Sequence, residues 1–342
     1  MESVKSAALA GQRSYVPPGL RLGPPQLDFP PVPNGVDYLL SVVHHLNEDT
    51  GGSPRDIKYA VLHLQAAAEV LLKARLLREH WTLVFKDPGA ATRKKKDDFS
   101  FESCTTTEAV TRLRNIAHIA ITDAEAKALK DLTRDRNALQ HYGLTHNARA
   151  VEARAAVVLD FLVRFLDESL LPELHEEERT RIRRPMDEVR SGLTAIEAFV
   201  DERMKRLRGS ELKGAESTTA QCPDCNQLAL RVAPDEARCH FCARDWTARQ
   251  IAYELGDGDP DNPCNECPGC HAPTLLDSIV FVDPIGDKDL YCVTCATRYA
   301  LDELGNCAAC GCYWPHEGDD DGTRQTLCGM CQDQIRREEE ML

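Results

Sequence analysis

Cys222-Pro-Asp-Cys225-Asn-Gln-Leu-Ala-Leu-Arg-Val-Ala-Pro-Asp-Glu-Ala-Arg-Cys239-His-Phe-Cys242 decides how the second half of this chain folds. Two Cys-x-x-Cys knuckles stand thirteen residues apart. Between them Leu228 to Val232 has the pattern of a strand, and Pro234-Asp235 that of a turn. Four thiolates at this spacing close a tetrahedral shell and leave no open position, which is the donor set of a structural zinc ribbon. His240 lies between two ligands and is not read as one itself.

The pattern repeats downstream. Cys267/Cys270 and Cys292/Cys295 are twenty-one residues apart, with a strand-like Ser278 to Val282 between them. Cys307/Cys310 and Cys328/Cys331 are seventeen apart. Pairing in sequence gives two more Cys₄ sites, and so about three zinc ions per chain. A cross-braced pairing, first with third and second with fourth, is the alternative. Cys264 and Cys312 are spare, and Cys264 offers a second register with Cys267 and Cys270. Iron–sulfur ligation is disfavoured, because these thiols come as knuckles separated by strands. With few large apolar residues in the segment, metal closure must supply folding free energy that a small core cannot. The Asp319-Asp320-Asp321 loop is expected to face solvent.

Cysteine and charge are both unevenly spread. Cys104 alone precedes residue 220, and it reads as an ordinary buried thiol. Such clustering in a reducing compartment signals metal ligation rather than disulfides. Residues 55–167 carry a net charge of +4 and residues 210–342 carry −15, out of −14 for the 342-residue chain. Phosphate binding rests on Lys and Arg, so the acidic end is a poor RNA clamp and the helical end the better seat for an RNA substrate. No apolar run is long enough to span a membrane, and no secretory leader is visible, so the expected compartment is the cytoplasm.

Upstream of the cysteines the period is helical. Residues 1–35 are proline-rich and read as a disordered arm. A short helix follows from Val36 to Asn47. Ser53-Pro54 opens a long one, Asp56 to His80, with Ile57, Ala60, Val61, Leu64, Ala67, Ala68, Leu71 and Leu72 at helical spacing. A polar loop, Lys86 to Glu102, holds Arg93-Lys94-Lys95-Lys96, either a solvated run or an RNA contact. Further helices are expected from Thr106 to Ala120, from Ala124 to Tyr142 (stopped by Gly143) and from Asn147 to Leu171. Glu173 to Arg208 is helical with a charged face, and Pro185 is expected to kink it or to start a new helix.

The helix before Gly143 ends in Arg136-Asn137-Ala138-Leu139-Gln140-His141. Arginine holds phosphate bidentately, and histidine moves protons near neutral pH. At about 100° per residue, Arg136 falls within the stripe of Leu129, Leu132 and Leu139, with Asn137 and His141 around the flank. The bland account of such an Arg is a salt bridge to Glu69. The angles also imply that Arg136 and His141 do not project in one direction from one straight helix. His44, His45, His63, His80 and His118 read as core or rim residues, while His146 stands close enough to contribute.

Arg136-Asn137-x-x-x-His141, with Tyr142-Gly143, the Ala-rich helix bearing Glu69 and Lys73, and the following Val/Leu/Phe helix, resembles the HEPN family. These all-α domains are found in many toxins, CRISPR effectors and phage-defence proteins. The resemblance covers about a third of the chain. It implies a homodimer in which two motif helices meet, and metal-independent RNA cleavage leaving a 2′,3′-cyclic phosphate. Arg136 would bind the scissile phosphate, His141 would act as general acid/base, and Asn137 would orient the site.

The expected architecture is therefore a mainly α, HEPN-like domain (36–172) and a charged helical extension (173–209), followed by a linker (210–220). Three small β-rich zinc ribbons complete it (221–256, 262–300, 301–335). The expected function is an endoribonuclease, a toxin or phage-defence effector, whose ribbons regulate it or engage a protein partner. The competing function is a non-catalytic dimerisation scaffold with protein- or nucleic-acid-binding ribbons.

Overall fold

Ser53, Thr105 and Thr122 each open a helix in the same way. The hydroxyl accepts the backbone N–H three residues on, and Asp56, Glu108 or Glu125 reaches back to the cap's own N–H. Each such box satisfies otherwise unpaired N–H groups and is worth about 1 kcal/mol. In the computed structural model, residues 27–47, 52–145, 147–256, 265–276, 279–283, 290–300, 304–315 and 327–339 are described. The first 26 residues of the proline-rich arm, His146, Cys264, Ser278 and the Asp319–Asp321 loop lie outside them.

The helical part comprises α1 (Pro31–Leu46), α2 (Pro54–Glu79), α3 (Arg93–Asp97), α4 (Thr106–Asn115), α5 (Asp123–His141), α6 (Ala148–Phe165), α7 (Glu176–Leu193) and α8 (Glu197–Gly209). Helix α2 is the central element: Leu64, Ala67, Ala68, Leu71, Leu72 and Leu76 are wholly buried, and α1, α4, α5 and α6 surround it. Among the described residues no helix is long and apolar enough to cross a membrane.

Several boundaries differ from expectation. Helix α1 starts at Pro31 rather than Val36, so the last residues assigned to the arm are helical. Helix α4 stops at Asn115, and the chain turns through His118 at φ 53°. Pro185 lies inside α7, and the break falls instead at Thr194–Ile196. Ile182, Met186, Val189 and Leu193 form one buried stripe across Pro185, and their burial offsets the ~3 kcal/mol that an interior proline costs.

Helix α1 approaches its neighbours at two glycines. A Cβ on Gly35 would lie 2.5 Å from the Leu71 side chain. One on Gly192 would overlap Val43 Cγ1. Valine in a helix has little rotamer freedom to move aside. Gly192→Ala is therefore expected to cost about 1–3 kcal/mol despite alanine's better helix propensity. Gly209→Ala, which meets nothing within 4 Å, should be neutral or slightly stabilising. Thermal melts of the two variants check the opposite signs.

The C-terminal part is β-rich. Strands β1 (Thr219–Gln221), β2 (Leu228–Ala233), β3 (Glu236–Cys239) and β4 (Asp245–Thr247) form an antiparallel sheet in that order, closed by α9 (Ala248–Leu255). A second sheet holds β5 (Leu275–Leu276), β6 (Leu290–Cys292) and β7 (Thr297–Tyr299). A third pairs β8 (Leu304–Asn306) with β9 (Tyr313–Pro315), ahead of α10 (Gly329–Glu339).

The segment expected as a free linker, 210–220, instead buries Leu212, Ala215, Thr219 and Ala220. One apolar cluster runs from Phe199 and Leu207 through Leu212 into Leu230, Phe241 and Ile251. The first ribbon thus shares the core of the helices. Of the strand expected at 278–282, Ser278 lies outside the described residues, and the stretch around Phe281 forms a bridge to Ala220. The free edge of β1 recruits it, through Gln221 N–H to the Val280 carbonyl at 2.8 Å and Val282 N–H to the Thr219 carbonyl at 2.9 Å.

Candidate active site and metal centres

On α5 the buried positions are Leu129, Leu132 and Asp135. Arg136, expected within the apolar stripe, lies at its rim with 29% of its side chain exposed. Asp135 occupies the buried place because Arg154 of α6 meets it through Nη2 at 2.6 Å and Nε at 2.9 Å. Gln65 binds α4 and α5 to α2: its amide donates to Thr106 Oγ1 at 3.1 Å and accepts from Thr133 Oγ1 at 3.0 Å.

The Arg136 guanidinium is held mainly by neutral groups. Nη1 donates to Asn137 Oδ1 at 3.0 Å and to Gln140 Oε1 at 3.2 Å. Its nearest carboxylate is Glu69 Oε2, at 3.9 Å from Nη2. Glu69 is engaged elsewhere, by Lys73 Nζ at 2.5 Å, and Lys73 donates in turn to Ser103 Oγ at 2.8 Å. The expected Glu69 partner is thus present but distant. Arg154, Arg164, Arg203 and Arg206 all hold carboxylates at 2.5–2.9 Å. Arg136 retains donors and net charge for an anion, which a tightly paired guanidinium does not.

His141 stands exposed on the last residue of α5. Its ring lies 6.0 Å from that of Tyr142, which is also exposed. Gly143 follows at φ +81°, a backbone state that glycine adopts freely, and it ends the helix there. Arg136 and Asn137 are brought together; among the described residues no hydrogen bond joins His141 to either. Sequence reasoning gave no role to Gln140 or Ser103. Gln140 is legible as the i+4 neighbour of Arg136, whereas Ser103 carries no local signal.

The cysteines assemble into three groups: Cys222, Cys225, Cys239 and Cys242; Cys267, Cys270, Cys292 and Cys295; and Cys307, Cys310, Cys328 and Cys331. Within each group all Sγ atoms lie within 4.8 Å of one another. Pairing is sequential, and the cross-braced alternative is not the arrangement found. Sγ–Sγ separations are 3.8 Å for Cys222–Cys242, 3.6 Å for Cys225–Cys239, 3.8 Å for Cys267–Cys295, 3.6 Å for Cys270–Cys292 and 3.7 Å for Cys310–Cys328. A tetrahedron of sulfurs about 2.3 Å from a metal has edges of about 3.8 Å, whereas a disulfide is about 2.05 Å. The donor sets therefore fit a metal ion. Cys312 stays outside, with its Sγ 3.9 Å from the Cys310 carbonyl.

Knuckle geometry explains how short peptides aim two thiols at one point. Asn226, Ala243, His271, Ala296 and Gly311, each directly after the second Cys of a pair, all have positive φ. This left-handed residue turns the chain back over the site, and backbone N–H groups point at sulfur. Gly269 donates to Cys267 Sγ at 3.4 Å, and Cys328 to Cys307 Sγ at 3.3 Å. The Cys328 N–H is the main cause that pulls the Cys307 thiol down to about 6, so its thiolate is present at neutral pH.

The first ribbon is fastened to the helices by Arg203, which is 3% exposed. Its Nε donates to the Phe241 carbonyl at 2.9 Å, Nη2 to the His240 carbonyl at 3.2 Å, and Nη1 to Asp160 of α6 at 2.9 Å. Arg206 joins the same Asp160 at 2.5 Å. Burial works against the Arg206 charge, but Asp160 and Glu211 outweigh it and hold the group above the usual arginine range.

Compared with protein-family models, with curated proteins and with solved structures, this chain has no match.

Proposed function

We propose that this protein is a metal-independent endoribonuclease of the HEPN type, acting as a homodimer, with zinc in its three Cys₄ groups. The observation that carries the reading is the state of Arg136: a partly exposed guanidinium on neutral amides, 3.9 Å from its nearest carboxylate among the described residues, five residues before an exposed His141. In this reading Arg136 binds the scissile phosphate and the charge that builds on it. His141 takes the proton of the ribose 2′-hydroxyl as O2′ bonds to phosphorus. A proton is returned to the 5′ oxygen as the P–O5′ bond breaks, leaving a 2′,3′-cyclic phosphate. Asn137 orients Arg136. The zinc ions are structural, since four thiolates leave no open position. A toxin or defence role, with ribbons that restrain or aim the nuclease, suits such a site.

Purified protein given RNA in the presence of a chelator of free divalent ions should produce cyclic-phosphate ends. Intact RNA at equal protein concentration, with wild type and Arg136→Ala indistinguishable on expression in growing cells, would leave the scaffold reading in its place. Metal analysis should find about three zinc ions per chain, unchanged by Cys312→Ser. A value near one would remove the two later sites.

A further inference from the structure

The polar cluster under Arg136 ends at Ser103, and Ser103 lies at the neck of a loop. Phe85 and Ser103 form a β-bridge, Cys104 N–H bonds the Val84 carbonyl at 2.9 Å and Lys86 N–H the Glu102 carbonyl at 2.8 Å. Lys86 and Glu102 close the neck with an ion pair at 2.6 Å. Beyond it, α3 carries Arg93, Lys94, Lys95 and Lys96, none of which forms an ion pair among the described residues. Arg93 lies 4.7 Å over the Trp81 ring, which fixes one cation in place.

The end of α3 is the informative part. Ser100 N–H bonds the Lys95 carbonyl at 2.9 Å, and Phe99 N–H the Lys96 carbonyl at 3.2 Å. These are the two bonds of a Schellman stop, whose left-handed position glycine ordinarily fills. Here it is Phe99, at φ 51°, a residue 86% exposed. A bulky residue in that backbone state is strained, and an exposed ring gains nothing from burial. Neither helix termination nor packing accounts for the choice of Phe. Lys95 Nζ also donates to the Ala90 carbonyl at 3.2 Å, but none of the four cations meets a carboxylate among the described residues. An exposed phenyl three residues past such a run is what a single-stranded nucleic acid binds: phosphates on the cations, a base on the ring.

We infer that the 86–102 loop is a grip for single-stranded RNA, rooted through Ser103 and Lys73 on the Arg136 cluster. It extends the proposed nuclease reading by assigning the RNA contact outside the Arg136 cluster to this loop, and it rests on that reading for its purpose. Asp97 and Asp98 follow the basic run and limit its pull on phosphate.

The test is RNA binding by the full chain in a His141→Ala background, so that a fluorescent oligouridylate stays intact, read by anisotropy across a salt series. Replacing Arg93, Lys94, Lys95 and Lys96 by Gln should weaken binding at least about tenfold and flatten the log–log salt slope by about 2–3. Phe99→Gly should weaken it about tenfold while the melting temperature holds or rises, since glycine suits the backbone. Asp97→Asn with Asp98→Asn should tighten it. Unchanged RNA affinity in the Gln and Gly variants overturns the inference. So does a loss confined to phosphatidylserine vesicles with RNA binding intact. Loop-dependent RNA binding by a wild-type protein that cuts no RNA would sink the nuclease reading and keep this one; cleavage without loop dependence would do the reverse.

Discussion

Arg136→Ala is expected to lower RNA cleavage by a factor on the order of 10³ or more, with almost no change in melting temperature. On the proposed mechanism the rate loss follows from removing the cation that would meet the charge of the transition state, a contribution of several kcal/mol in such sites. The stability follows from geometry. Arg136 keeps two amide hydrogen bonds, at 3.0 and 3.2 Å, and a distant carboxylate at 3.9 Å. Exposed interactions of that kind are worth under about 1 kcal/mol. The adjacent residue should behave in the opposite way. Asp135 is 3% exposed and holds Arg154 through two bonds. Asp135→Ala removes a buried carboxylate and both of its charged hydrogen bonds to the partly exposed Arg154, and should cost about 1.5–3 kcal/mol. Cleavage and thermal melts of the two variants, run side by side, separate a chemical role from a structural one. Equal destabilisation by both would mean that Arg136 is a packing residue and the site lies elsewhere.

Cys239→Ser is expected to unfold helices that lie far from it in sequence, whereas Cys328→Ser is not. Cys239 is wholly buried in β3, and its site is flanked by Phe241, which joins the apolar cluster containing Phe199 and Leu207. Arg203 bonds two carbonyls of that knuckle and Asp160 of α6. Structural zinc sites contribute on the order of 10 kcal/mol, comparable with the whole stability of a domain. Losing the first site should lower the helical melting temperature by at least about 10 °C. Among the described residues, Leu304 and Tyr313 beside the third group pack in a small separate cluster with Leu275 and Leu290, apart from the core of the helices. Loss of the third group should remove one metal equivalent and leave the helical transition in place. Circular dichroism melts with metal analysis on both variants check this, and equal shifts would contradict the shared core.

The difference between the two cysteines was not legible in the sequence. A polar stretch at 210–220, ahead of a new composition, reads as a linker because nothing local reports that Leu212 and Ala215 are covered from both sides. The same limit applies at the motif. Angular position on α5 marks a stripe, but which member is buried depends on the partner that α6 supplies, and Arg154 supplies it to Asp135. Glu69 was legible as a partner because a carboxylate among alanines and leucines demands one. Its prior engagement by Lys73, which keeps it 3.9 Å from Arg136, was not.

By itself the sequence determined what depends on neighbours a few residues away. The capping boxes at Ser53, Thr105 and Thr122, the Gly143 stop, and the knuckle pairs with the strand after the first are such features. Each rests on bonds between positions i and i+3 to i+5, or on two thiols with two residues between them. Only the tertiary structure decided which knuckles share a site, where the helical core ends, and how much charge Arg136 retains. Those outcomes depend on which surfaces meet, and the free energy of burial and ion pairing that selects them is set by residues tens of positions apart.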